Sequence, residues 1–156
     1  MSRKKRAPKK IPIIDPKYKS TIIPKLINNI MYDGKRGVAA KIVYDAIDKI
    51  KSKSKDEPIT IFNEAINNIK PTVEVRSRRV GGATYQVPVE VKSKRSQALA
   101  IRWLIEASKK RKDRVMSDKI CFELYDAYQG KGSAIKKKED THKMAESNKA
   151  FAHFRW

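Results

Sequence analysis

The chain has 156 residues and a formal net charge of +20, from 37 Lys and Arg against 17 Asp and Glu. This length suits one domain with a single hydrophobic core, and so much positive charge repels itself strongly unless a polyanion neutralises it. The lone cysteine excludes an internal disulfide and a zinc thiol cluster, and no apolar run suits a membrane span or secretory leader, so we expect a soluble, unprocessed protein of a reducing compartment.

The first segment, residues 1–19, combines basic side chains with Pro8, Pro12 and Pro16. Prolines at this spacing prevent regular secondary structure. We therefore expect an extended basic arm that is disordered when unbound and that can follow a groove in a polyanion.

Residues 20–70 carry three apolar stripes of helical period, which predict three helices. The first should have Thr21 as its N-cap and end at Asp33-Gly34. The third should begin at Pro58 and stop at Pro71. The second should bury the following residues: Val38, Ile42, Val43, Ala46, Ile47 and Ile50.

The period changes to two in residues 72–91, where alternating valines flank Gly81-Gly82. This pattern predicts one β-hairpin with Pro88 at a free edge, because proline cannot donate to a β-ladder. A lone two-stranded ribbon should protrude as an arm roughly 25 Å long. Its arginines suit bidentate contacts with phosphate and stacking on exposed bases, although an ordinary solvated hairpin carries such charges too.

Helices return in residues 93–150. One should begin at Ser93 or Ser96 and end at Ser108, and after the basic loop KKRKDR a second should run to Gly130. A lysine-rich last helix, from about Ser133 to Ala150, has few apolar residues, so it should pack weakly and be held by its ligand. The predicted fold is mainly α, with a six-helix, bundle-like body, one protruding two-stranded hairpin and a disordered N-terminal arm.

The aromatic residues and the cysteine are considered as structural or as functional residues. The tail, residues 151–156, interleaves aromatic and basic groups, which suits stacking on unpaired bases or packing back onto the body. Trp103 and Tyr85 are expected to be structural, although Tyr85 on the hairpin could also serve binding. Cys121 lies in an apolar helix and is expected to be a core residue rather than a nucleophile.

Most of the excess positive charge lies in a few segments: residues 1–10, 76–79, 92–95, 109–114 and 131–143. Solubility does not require such clustering, whereas binding to a phosphate backbone does. His142 and His153 lack metal-ligand spacing with Cys121, and no phosphate-binding loop or catalytic triad occurs. We therefore expect a non-enzymatic RNA-binding protein with no cofactor, no metal and no small-molecule substrate.

Two other binding functions compete with this interpretation. A DNA-binding protein of the nucleoid type would also be small and basic, but no helix-turn-helix spacing or heptad dimer seam is present. An anionic-membrane binder needs a strongly apolar face on a basic helix, and the last helix has too few large apolar residues. One hairpin with scattered basic patches suits an irregular RNA best.

Three long motifs closely resemble the small-subunit ribosomal protein seven family in its bacterial and organellar form: YDGKRGVAAKIVYDAI (32–47), KPTVEVRSRRVGGATYQVPVEV (70–91) and GSAIKKKEDTHKMAESNKAFAHFRW (132–156). The resemblance implies a primary binder of the three-prime major domain of small-subunit ribosomal RNA, which nucleates assembly of the subunit head. It implies a place near the exit site, where the hairpin approaches transfer RNA and messenger RNA, beside small-subunit proteins nine and eleven. Some family members also repress translation of their own operon.

The same resemblance implies a location in the bacterial cytoplasm, or on a plastid or mitochondrial ribosome. It assigns the following residues to ribosomal RNA: Arg3, Lys4, Lys5, Arg6, Lys9, Lys10, Lys35, Arg36, Arg76, Arg78, Arg95, Lys109, Lys110, Arg111, Lys112, Arg114, Met116, Lys136, Lys137 and Lys138. It places these residues near transfer RNA and messenger RNA: Arg78, Arg79, Val80, Gly81, Gly82, Ala83, Thr84 and Tyr85.

Overall fold

The computed structural model describes residues 13–54 and 56–154. In chain order the elements are α1 (Ile23–Ile30), α2 (Arg36–Lys53), α3 (Pro58–Ile69), β1 (Val73–Val80), β2 (Ala83–Glu90), α4 (Ser93–Lys110), α5 (Met116–Tyr128), α6 (Ser133–Ser147) and a 3₁₀ helix (Lys149–Phe154). The predicted mainly α fold with one hairpin is confirmed.

Helix α5 lies in the middle of the body, in contact with α2, α3, α4 and α6. Its Ile120 and Leu124 are fully buried, as is Phe62 of α3. Each such side chain stabilises the fold by roughly 1.5–3 kcal/mol relative to an exposed one. Trp103 and Cys121 belong to the same core, so the structural roles predicted for them are confirmed.

Three details of the predicted helices are wrong. The N-cap of α1 is Ile22 and not Thr21, and the Ser20 hydroxyl instead accepts the N–H of Ile22 at 3.2 Å. Val38 is 60% exposed. The buried stripe of α2 runs through Ala39 and Val43, and Val38 lies on a different face of the helix. Helix α6 also ends at Ser147, before the predicted boundary, and a 3₁₀ helix follows.

The segment before α1 is folded from Asp15 onward, although the sequence predicts disorder as far as Lys19. The Asp15 carboxylate is buried and accepts the N–H groups of Lys17 and Tyr18 and the hydroxyl of Tyr44, the last at 2.6 Å. Proline prevents helix and strand but permits this turn, which the carboxylate fastens to α2. The rest of the predicted arm, residues 1–12, lies outside the described residues.

The hairpin has the predicted turn and edges. Val80 pairs with Ala83, and Gly81 and Gly82 between them have φ of 56° and 92°, the left-handed values that a two-residue hairpin turn with the twist of the strands requires. Pro88 lies opposite Val75, and a sheet of two strands leaves an edge free beside it.

The hairpin is supported at one end by the C-terminal part of the chain. Helix α6 packs on both strands, and the 3₁₀ helix packs on β2. The ring of Tyr85 lies 5.2 Å from that of Phe151 and 5.1 Å from that of Phe154, between centroids. Of the two interpretations of the tail, packing onto the body therefore holds for residues 151–154, whereas Arg155 and Trp156 lie outside the described residues.

Candidate RNA-binding surfaces

A buried carboxylate joins the hairpin to the start of α4. Glu74 of β1 is 7% exposed, and its Oε1 accepts a hydrogen bond from Nε of Arg76 at 2.6 Å. Nε of Arg95, in the first turn of α4, donates to the two carboxylate oxygens at 2.9 and 2.7 Å. We call Arg76, Arg78, Arg79 and Arg95 the hairpin cluster.

The pair of arginines keeps Glu74 ionised. Burial alone would raise the pKa of its carboxyl, but the hydrogen bonds from Arg95 and Arg76 outweigh burial and lower that pKa. Both arginines remain about half exposed, at 48% and 52% of their side chains. Because each is held through Nε and about half of its side chain is exposed, its guanidinium group can still bind phosphate.

The free end of the hairpin carries the residues predicted to lie near transfer RNA and messenger RNA. Gly81 to Thr84 are exposed, as is Arg79. Arg78 pairs with Tyr85 and Arg79 with Thr84 across the strands, so the two arginines point to opposite faces. Arg78 is partly buried on the face of Tyr85, and Arg79 extends from the other face.

A second basic surface forms where the turn after α1 meets the end of α4. Asp33 and Gly34 have φ of 50° and 72°, and the N–H of Lys35 donates to the carbonyl of Tyr32 at 2.9 Å. Nζ of Lys109 donates to the Tyr32 hydroxyl and lies 4.8 Å from the centroid of its ring. The structure thus brings Lys35 and Lys109, predicted from distant segments, to one tyrosine.

Helix α6 extends this surface. Lys110 and Lys137 line one small cleft of about 90 Å³ between α4 and α6, which Glu106 also lines. We call Lys35, Lys109, Lys110 and Lys137 the loop cluster. Its exposed neighbours in the chain are also predicted RNA ligands: Arg36, Lys112, Arg114 and Lys136.

Arg111 differs from the other basic residues of the loop between α4 and α5. Its side chain is only 27% exposed, and Nη1 donates to Glu123 Oε2 at 2.8 Å and to Asp126 Oδ2 at 2.7 Å. Burial alone would lower the pKa of its guanidinium, but the bonds to Asp126 and Glu123 outweigh burial and raise it. Glu123 is itself buried and accepts the N–H of Ala134, so Arg111 fixes the loop to α5 and the start of α6.

Two more predicted ligands have partners within the fold. Nζ of Lys138 donates to the carbonyl of Asn68 at 2.8 Å, near the end of α3. Met116 begins α5 and packs, partly buried, against the core. The arm residues predicted to bind RNA, from Arg3 to Lys10, lie outside the described residues.

Sequence patterns did not reveal the carboxylates that hold the hairpin cluster and the loop between α4 and α5. Glu74 lies between Val73 and Val75, so the strand alternation predicts an outward, solvated position for it and gave no signal of its burial. Glu123 and Asp126 lie far along the chain from the loop that they hold, and nothing local marks them.

Within residues 13–54 and 56–154, no group of three His, Cys, Asp or Glu is placed to hold a metal ion. In the same part of the chain, none of the helices has the length and apolar character that crossing a bilayer requires. Burial raises the pKa of the Cys121 thiol, which is 1% exposed.

Comparison with known proteins shows which family the chain belongs to. A family model described as "Ribosomal protein S7p/S5e" matches residues 2–149. The chain is 79% identical to the small ribosomal subunit protein uS7 of Pelagibacter ubique (strain HTCC1062) and 58% identical to that of Paracoccus denitrificans (strain Pd 1222), each alignment covering all of both chains. The uS7 protein of Francisella philomiragia is 55% identical over the same full coverage. The chain therefore belongs to the ribosomal protein S7p/S5e family.

Proposed function

We propose that this chain is a primary binder of the three-prime major domain of small-subunit ribosomal RNA and nucleates assembly of the subunit head. The observation that supports this is the placement of the hairpin cluster and the loop cluster at opposite ends of α4. Arg95 and Lys110 are 15 residues apart, so a straight helix separates them by roughly 22 Å. A rigid body with two basic surfaces at a fixed distance suits the holding of separate RNA helices in one junction geometry.

As a member of this family, the chain is a structural, non-enzymatic component of the small ribosomal subunit. The positions of its basic side chains are fixed by the fold: the Glu74 carboxylate holds Arg76 and Arg95 at one end of α4, and the turn at Tyr32 holds Lys35 at the other. Held side chains lose less conformational entropy when they bind phosphate. Each contact alone remains weak, and affinity comes from their number.

An irregular RNA fits this arrangement better than a duplex or a bilayer. The basic residues are scattered over a hairpin, a turn, a loop, the two ends of α4 and the start of α6, which suits an irregular surface. Helix α6 exposes Met144 as its one large apolar side chain, too little for an interfacial membrane helix.

The proposed contacts with transfer RNA and messenger RNA concern the free end of the hairpin. We propose that residues 78–85 approach exit-site transfer RNA and messenger RNA, because the exposed glycine turn lets a backbone come close to a nucleotide. Small-subunit proteins nine and eleven are the expected protein neighbours. Binding to the messenger of its own operon would use the same basic surfaces, and the expected location is a bacterial or organellar ribosome.

Ionic strength tests the central proposal. If about 6 to 10 phosphates are neutralised, affinity for an RNA fragment of the three-prime major domain should fall by roughly 10³ to 10⁵ between 50 and 200 mM salt. Filter binding of the full chain measures this, with duplex DNA and anionic vesicles as competitors. A flat salt response, or equal competition by duplex DNA, would contradict the proposal.

A further inference from the structure

We propose that Tyr32 and the apolar cleft beside it form a stacking site for one unpaired nucleotide of RNA. This proposal rests on the RNA-binding function above and adds to it a contact that does not depend on charge. Tyr32 is 64% exposed and Val38 is 60% exposed, although both are large apolar side chains. They face a shallow cleft of about 100 Å³ whose other apolar walls come from the end of α1 and the first turns of α2.

The turn and the side chain of Lys109 together fix the position of Tyr32. Tyr32 and Lys35 are the first and fourth residues of the tight turn at Asp33-Gly34, so their Cα atoms lie within about 7 Å. Lys109 of α4 donates a hydrogen bond to the Tyr32 hydroxyl, and its ammonium group lies over the Tyr32 ring. A ring whose backbone is fixed by a turn and which Lys109 contacts, yet which is still exposed, is a prepared stacking platform.

The charges around the cleft favour a nucleotide as its occupant. Lys35 lines the cleft, Lys109 adjoins the ring, and the nearest acidic residue in the turn is Asp33. Lys35 forms no ion pair with another described residue. A protein partner that filled the cleft with apolar side chains would have to desolvate these ammonium groups, whereas a nucleotide offers them its phosphate and offers the ring a base.

Tyr32→Ala should lower affinity for the three-prime major domain fragment by roughly 5- to 100-fold, and Tyr32→Phe should stay within about twofold of the unaltered protein. The salt dependence separates stacking from charge. Tyr32→Ala should leave the slope of log affinity against log salt unchanged, whereas Lys35→Ala should reduce that slope by about one. Filter binding at several salt concentrations measures both quantities.

Met144→Ala is the matched control, because Met144 is also an exposed apolar residue, 49% exposed, but lies on α6. It should bind the RNA as the unaltered protein does. Ultraviolet cross-linking of the unaltered protein to the same RNA, followed by mass spectrometry, should yield a nucleotide adduct on Tyr32. This second measurement remains informative even if Tyr32→Ala fails to fold.

The outcomes distinguish this proposal from the one on which it rests. If the unaltered protein binds the RNA with steep salt dependence but Tyr32→Ala binds equally well, the stacking site is refuted and the RNA-binding function stands. If Tyr32→Ala binds RNA normally but is incorporated poorly into subunits, the cleft is a protein-docking surface and the proposal is again overturned. Failure of the unaltered protein to bind the RNA refutes both proposals.

Discussion

Neighbouring cations in the loop between α4 and α5 have different partners. Arg111 is mostly buried and bonded to Glu123 and Asp126, whereas Lys112 is exposed. A count of charged residues in the sequence cannot distinguish Arg111 from Lys112. Their surroundings show that Arg111 holds the loop, and we propose that the exposed Lys112 contacts RNA.

Arg111→Gln should lower the free energy of unfolding by about 2–4 kcal/mol, because it leaves the buried Glu123 carboxylate without its cation. Lys112→Gln, the matched control, should change stability by less than about 0.5 kcal/mol and lower RNA affinity instead. Urea unfolding measures stability and filter binding measures affinity. Equal stability losses in the two variants would contradict this assignment.

At this scale the sequence predicts which side chains are basic and that they cluster, but it does not predict which of them are paired within the fold. Arg76, Arg95, Arg111 and Lys138 were all grouped with the RNA ligands by resemblance. Each has a partner within the fold, although about half of the Arg76 and Arg95 side chains stays exposed. Ion pairing depends on residues brought together by packing, which local patterns do not record.

Helix α6 is fastened to the hairpin through a histidine. The N–H of Thr72, just before β1, donates to Nε2 of His142 at 3.2 Å, which requires a neutral ring with its proton on Nδ1. Burial, and then the nearby Lys138, lower the pKa of His142 below the ordinary value of 6.5. Protonation would place a positive charge beside Lys138 and remove the acceptor from Thr72.

Stability should therefore fall as the pH drops below about 6.5, because the unfolded chain takes up the His142 proton before the folded chain does. The urea midpoint should drop more between about pH 7.5 and pH 5.5 in the unaltered protein than in His142→Gln. His153→Gln, which removes the chain's other histidine, is the control and should retain the response. A His142→Gln variant with the full pH response would show that another group is responsible.

The positions of the helices and strands were the most predictable feature of this structure. The stripes of α1 to α5 and the alternation around Gly81-Gly82 are strong periodic signals, and the corresponding elements formed. The misses at Thr21 and Val38 fall at helix starts, where a first turn has little packing to reveal its face. The support of the hairpin by Phe151 and Phe154 was left open, because aromatic residues suit both a core and a base stack.

For the whole molecule, α4 determines how the two basic surfaces are related. The hairpin extends from one end of α4, and the loop cluster lies at the other end. Near its free end the hairpin packs on the 3₁₀ helix through Tyr85 and its aromatic neighbours, whereas the loop cluster is attached to α1, α4 and α6. A contact at the free end can therefore change without disturbing the body.

Arg78→Ala combined with Arg79→Ala should leave affinity for the ribosomal RNA fragment within about threefold and lower exit-site transfer RNA occupancy or frame maintenance. Lys109→Ala combined with Lys110→Ala should lower RNA affinity itself by at least about tenfold, because two phosphate contacts are lost. Filter binding and reading-frame reporters in reconstituted subunits measure the two effects. Equal losses of RNA affinity from both pairs would contradict this division of roles.

Cys121 gives the protein a natural reporter of global opening. Its thiol lies between helices of the core, and burial keeps it in the protonated, unreactive form. An alkylating reagent should reach it only in molecules whose helices have separated, so the labelling rate measures the population of opened chains. Labelling before and after RNA is added would report how strongly the bound RNA suppresses that opening, without any introduced probe.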